Sequence, residues 1–183
     1  RFCTMKHSLV STGLICMLAW PAAASDEHKE TNPRAEVFGG YSLARYIGEN
    51  AHGFAGSVQF NLSKWLAIGV ESRRHVEKDH GATSATKTSY MAGPRVSRRG
   101  GKIVPFLYAL GGIERTKKEV NGAGVSIWGG RRETAVAIGG GIDIEISRKW
   151  ALALEGDRLL VRYGSTHGAF RFAAGLVFYL GEK

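Results

Sequence analysis

"GAFRFAAGLVFYLGEK", residues 168–183, is the stretch on which the fold turns. Phe170, Phe172, Ala174, Leu176, Phe178 and Leu180 occupy every second position, and Arg171 stands between two phenylalanines. A period of two marks a β-strand, because successive side chains leave opposite faces of the backbone. An alternating run of about a dozen residues is roughly twice the length of an ordinary soluble strand, and about what a tilted strand needs to cross a bilayer. The pattern predicts a last strand with Phe170, Phe172, Leu176 and Phe178 toward lipid and Arg171 toward a polar interior.

Working back from the end, similar segments recur at about 35–46, 52–62, 65–76, 86–98, 103–116, 132–146, 149–162 and 168–180. Eight such segments without a convincing helix among them predict an all-β chain. Their connections alternate in length. "NLSKW", "SRRGGK" and "ISRKW" are tight, whereas "YIGENAH", "EKDHGATSATK", "TKKEVNGAGVSIWGGR" and "YGSTHG" are longer. An even number of strands with short turns on one rim and longer loops on the other is the plan of an eight-stranded antiparallel up-and-down transmembrane β-barrel, with both chain ends on the short-turn, periplasmic rim. Pro94 and Pro105 each remove a ladder donor, which predicts bulges or strand ends nearby.

Alternation assigns faces. In "ETAVAIGGGIDIEI", Val136, Ile138, Ile142, Ile144 and Ile146 share one parity, and Asp143 and Glu145 share the other with small residues. With the apolar parity outward, Glu71, Arg73, Arg95, Asp143, Glu145, Glu155, Asp157 and Arg171 point into the barrel. Segment 103–116 is apolar on both parities and its faces stay unassigned. Eight strands enclose a lumen that side chains can fill, and charges buried there must pair. The expected interior is a salt-bridged polar plug; the alternative is a narrow or gated ion path. Trp65 and Trp150 each follow a turn and a lysine, a placement suited to the aromatic girdle at a membrane surface. The other reading of these tryptophans is hairpin core.

The rest of the chain bounds its location. Residues 5–25, "MKHSLVSTGLICMLAWPAAAS", resemble a secretory signal, with Lys6, an apolar stretch from Leu9 to Trp20 and small residues for cleavage. The four residues before Met5 read as a non-native leader. The expected organisation is a signal over 1–25, a periplasmic connector over 26–34 and a barrel over 35–183. Cleavage near Ser25 removes Cys3 and Cys16, so no disulfide framework holds the exported fold.

The formal charge is +9, but the cations are dispersed among "SRRHVEK", "RVSRRGGK", "ERTKK" and "GGRRE" near turns. That dispersal argues for a solvated rim over a nucleic-acid groove. His75, Lys78, Lys87, Lys117, Lys118, Arg131 and Arg132 are expected on the outer loops, where lysine and arginine can meet lipopolysaccharide phosphates. The competing reading of these charges is plain solubility.

Catalysis and metal binding find little support in the spacing. Ser165, His167 and an inward acid such as Asp157 are the residue types of a nucleophilic triad. His52, His75 and His80 fall on the same expected rim, but no HxxxH-like ligand spacing accompanies them. The glycine clusters "GGGID" and "GGI" lie inside strands and lack the lysine and Ser/Thr of a phosphate loop. No catalytic residue, metal or cofactor is therefore expected.

"AEVFGGYS" (35–42), "GPRVSRRGGKIVPFLYALGG" (93–112), "AVAIGGGIDIEISRKWALAL" (135–154) and "FRFAAGLVFYLG" (170–181) resemble the small eight-stranded outer-membrane barrels related to the OmpA transmembrane domain and the opacity-type surface proteins. The resemblance covers roughly residues 35–181 and rests on pattern and spacing. It implies a bacterial outer-membrane location and assembly by the barrel-insertion machinery, which reads an aromatic last strand such as that of Phe178 and Tyr179. It also implies no shared catalytic residue. A monomeric structural or surface-interacting barrel is the resulting expectation. A soluble lipocalin-like carrier is the remaining alternative, with its apolar parity turned inward around a ligand.

Overall fold

The computed structural model describes residues 33–46, 49–78, 83–122, 125–126, 129–163 and 165–182; side chains at 46, 49, 78, 83–84, 118–122, 125–126, 129–131, 163, 165–167 and 182 are outside that description. The expected signal segment and residues 26–32 of the connector also lie outside the described residues. Pro33 and Arg34, assigned to the connector by sequence, already belong to the first strand.

Among the described residues nine strands follow one another: β1 (Pro33–Tyr46), β2 (Glu49–Asn61), β3 (Leu66–Lys78), β4 (Thr83–Ser97), β5 (Ile103–Gly122), β6 (Val125–Ser126), β7 (Gly129–Glu145), β8 (Trp150–Tyr163) and β9 (Ser165–Glu182). Eight of them close into an antiparallel barrel, in which each strand pairs with its sequence neighbour, β5 pairs with β7, and β1 pairs with β9. The two-residue β6 only extends the tip of β5. Paired residues can be followed once around the wall from Leu66 through Val96, Leu107, Gly140, Gly156, Phe172, Leu43 and His52. The circuit returns to β3 at Val76, ten residues beyond its start. A stagger of this size tilts the strands by about 40° and brings residues from distant strands to one height inside the lumen.

The strands run further toward the loop rim than alternation alone suggests. β5 continues to Gly122 and β7 starts at Gly129, so the expected loop "TKKEVNGAGVSIWGGR" is mostly hairpin, with Lys117 opposite Gly130 and Lys118 opposite Gly129. Similarly, β3 reaches Lys78, β4 starts at Thr83, and Tyr46 pairs with Glu49. The reason is physical. Apolar alternation ends where the lipid ends, but ladder hydrogen bonds continue wherever two backbones remain in register. Pro94 inserts no bulge: the pairing Ala92–Gly111 resumes at Arg95–Tyr108 with equal steps on both strands.

Outside, Phe54 (75% exposed), Phe60, Ile68, Val70, Ile138, Leu176 and other large apolar side chains are bare. A water-soluble carrier would turn this parity inward. Inside, Phe38, Phe106, Tyr108, Leu110, Leu159, Val161, Val177 and Tyr179 pack with alanines in two buried clusters. The lumen is thus lined more heavily by large apolar groups than the expectation of small residues plus charges. Much of the difference comes from β5, whose inward parity is Val104, Phe106, Tyr108 and Leu110.

Candidate functional site

Two polar tiers fill the space those apolar groups leave. The middle tier is built on Arg73 of β3 and Arg171 of β9, both 0% exposed. Arg73 donates from Nε to Glu71 Oε1 at 2.7 Å and from Nη2 to Glu71 Oε2 at 2.8 Å and Glu155 Oε1 at 2.6 Å. Its Nη1 lies 3.3 Å from Asp157 Oδ2, close enough to pair but without hydrogen-bond geometry. Arg171 clamps Asp157 with Nε to Oδ1 at 2.7 Å and Nη2 to Oδ2 at 3.0 Å, and reaches Ser89 Oγ at 3.2 Å. Tyr108 donates its hydroxyl to Asp157 Oδ2 at 2.8 Å. Three carboxylates therefore share two guanidiniums. The bidentate forks supply the geometry that makes a buried ion cluster tolerable.

The second tier lies nearer the chain ends. Arg95 pairs with Asp143, and its guanidinium sits 3.6 Å from the centre of the Phe106 ring. Arg99 pairs with Glu36, whose Oε1 also accepts from Asn61 Nδ2 at 2.6 Å. Glu145 lies on the same inward parity, half-buried and partnered. The fold thus gathers Glu71, Arg73, Glu155, Asp157 and Arg171 into one cluster and sets Arg95 with Asp143 apart from it.

Sequence reasoning passed over several interior polar groups. Glu36 was readable from the alternation of "AEVF", whereas Arg99 looked like an ordinary turn charge. Tyr108 was hidden by the doubly apolar β5. His75, expected on an outer loop, is buried in β3 at the same parity as Glu71 and Arg73, with Nε2 2.9 Å from Ser42 Oγ. Lys87, also expected on a loop, is on β4 and pairs with Glu77 at 3.0 Å.

The strand register lends no support to the triad weighed from Ser165, His167 and Asp157. The side chains of Ser165 and His167 lie outside the described residues, but Asp157 is opposite Arg171, and His167 is four positions further along β9. At about 3.3 Å per residue, that places the His167 backbone roughly 13 Å away along the strand. His52 faces outward and meets the Tyr41 hydroxyl, while His80 is outside the described residues. Among the described residues, no group of histidines, cysteines and acids has the arrangement of a metal site.

On the outer wall, Phe170, Phe172 and Leu176 are exposed and Phe178 is half-exposed, with its ring 4.7 Å from that of Trp150. Trp65 and Trp150 are both exposed at the short-turn rim. At the opposite rim, Lys117 and Arg132 are exposed on β5 and β7. Lys118 and Arg131 occupy the same two strands, so all four sit on hairpin walls and not in loops.

Comparison with known proteins agrees with this architecture. Neisserial surface protein A matches with a TM-score of 0.62 at 13% identity, over 80% of this chain and 96% of that one. Ail, the attachment invasion locus protein of Yersinia pestis, in complex with the heparin analogue sucrose octasulfate, matches with a TM-score of 0.55 at 15% identity, over 81% and 99%. The N-terminal barrel domain of Pseudomonas aeruginosa OprF gives 0.52 at 14%, over 80% and 98%. At such identities these likenesses speak for the fold. No curated protein matches the chain in sequence. The family described as the outer membrane protein beta-barrel domain matches residues 12–182, and with a closed eight-stranded wall, an apolar exterior and an ion-paired interior, the chain belongs to that family and to the bacterial outer membrane.

Proposed function

We propose that this protein is a non-catalytic, monomeric barrel with a structural or surface-interacting role, closed to ion flow by its interior. The observation that carries the reading is the middle tier, in which Arg73 and Arg171 bridge Glu71, Glu155 and Asp157 between opposite walls. Residues 1–25 would direct export, and the outward Phe178 would be the aromatic read by the insertion machinery, since Tyr179 is buried inside. Lys117, Lys118, Arg131 and Arg132 would contact lipopolysaccharide phosphates.

Two measurements test the reading. Protein extracted in mild detergent should migrate faster on a denaturing gel when unboiled than when boiled; identical migration would remove the closed barrel. In planar bilayers the folded protein should give no unitary current steps. A gated path is the second reading, favoured by Glu36 Oε2, Gln59 Oε1, Arg95 Nε, Arg99 Nη1 and Asp143 Oδ1, buried polar atoms without a hydrogen-bond partner among the described residues. Steps that appear in the wild type and change with Arg95→Gln would establish that reading instead.

A further inference from the structure

Charge is sorted by face in this barrel. On the strands, the described acidic side chains occupy inward parity, while Arg45, Arg74, Arg115, Lys117, Arg132 and Arg162 are exposed on outward parity toward the loop rim. On β5 the outward series runs Ile113, Arg115, Lys117, and on β7 it runs Val136, Thr134, Arg132. These two paired strands change from apolar to basic within one or two outward steps, which is where hydrocarbon gives way to headgroups. On β8 the outward series runs Arg158, Leu160, Arg162, so its first arginine stands lower, beside Phe170.

Within that band, Arg115 and Arg132 are direct cross-strand partners. Thr88 continues the row to Arg74, and Arg162 pairs with Thr134, one diagonal from Arg132. Directly opposed side chains stand about 5 Å apart at Cβ, and like charges so placed repel. No ion pair joins Arg115 or Arg132 to an acid among the described residues, so nothing there neutralises the pair. An anion with several oxygens would satisfy both forks together, and phosphate has the geometry for it.

We infer that Arg115 and Arg132, flanked by Arg162 and Lys117, form a phosphate clamp on the outer wall of the barrel for the phosphorylated headgroup of an outer-leaflet lipid. The inference rests on the outer-membrane reading, with the chain ends on the periplasmic side. It differs from loop contact because the clamp faces sideways into the leaflet, its acyl chains lying against Ile113, Val136 and Leu160.

The test compares two probes on the folded protein in nonionic detergent: bis-phosphorylated lipid A and the same lipid stripped of phosphate, with bound fractions read by native mass spectrometry. The phosphorylated lipid should bind about 10- to 30-fold more tightly, the effect of two surface arginines. Arg115→Gln with Arg132→Gln should abolish that preference while keeping the gel shift of a folded barrel. Lys149→Gln at the opposite rim should preserve it. Should the double variant fail to fold, Arg162→Gln alone is expected to reduce the preference several-fold.

Equal binding of the two lipids by folded wild type would overturn the clamp and leave the barrel reading intact. So would a preference that survives in the folded variants, or one transferred to inorganic phosphate or sucrose octasulfate alone. Absence of both the gel shift and any lipid binding in the wild type would remove the underlying barrel reading. Without lipid, relief of the opposed charges should leave the double variant at least as heat-resistant as wild type. A lower unfolding temperature would mark a structural role and overturn the assignment.

Discussion

Arg171→Met is expected to destabilise the folded barrel by about 3–5 kcal/mol, the usual consequence of removing one partner from a buried ion cluster. The readout is the temperature at which the fast-migrating unboiled band disappears. Arg171 is fully buried and holds Asp157 through two hydrogen bonds, Ser89 through a third and Glu71 more loosely at 3.5 Å. Methionine keeps the stem's bulk beside Met91 but leaves Glu71, Glu155 and Asp157 facing Arg73 alone. Adding Asp157→Leu should restore at least half of the loss, because an apolar pair of similar volume carries no unmet charge. Arg158→Met supplies the control. Arg158 is exposed beside Phe170, so its loss should fall within about 0.5 kcal/mol of wild type. If the double variant is as unstable as the summed single changes, pairing is not what makes Arg171 necessary.

The sorting of faces was legible in the sequence wherever one face of a strand met lipid. Val136, Ile138 and Ile142 against Asp143, or Phe170 and Phe172 against Arg171, leave little choice, since reversing either would put a charge in hydrocarbon. Where both faces meet apolar surroundings, that signal is gone. Phe106, Tyr108 and Leu110 fill the lumen while Leu107 and Ile113 face outward, and hydrophobicity does not distinguish them. The partners of a charge depend on a different quantity. Arg171 and Asp157 are opposite one another on β8 and β9, so their pairing follows from hairpin register. Arg73 meets Glu155, 82 residues away, because of the ten-residue stagger around the closed wall. No local pattern encodes that stagger. His75 was misplaced for a different reason: its outward neighbours Ser72 and Arg74 are polar and read as a loop rim, although its parity continues that of Glu71 and Arg73 and Val76 beyond it still faces outward.

Gly175→Val is the second large effect expected, and it bears on closure itself. Gly175 of β9 is opposite Gly40 of β1, across the seam that joins the two ends of the chain. A Cβ on Gly175 would lie 2.5 Å from Gly40 Cα and 2.8 Å from the Gly39 carbonyl carbon; one on Gly40 would lie 2.7 Å from Gly175 Cα. These are backbone atoms, which can yield only by separating the strands. Overpacking of this kind costs about 1–3 kcal/mol where a core can adjust, and a ladder offers less adjustment than a core. The opposing gain, loss of glycine's freedom in the unfolded chain, is at most about 1 kcal/mol. The clash wins, so the unboiled band of Gly175→Val should be greatly diminished at a temperature where wild type remains folded. Gly39→Val reverses the balance, because a Cβ there meets nothing within 4 Å and valine favours an exposed apolar strand. It should fold at least as well as wild type. Equal behaviour of the two variants would mean that β1 and β9 close in a different register, one that does not bring Gly40 against Gly175.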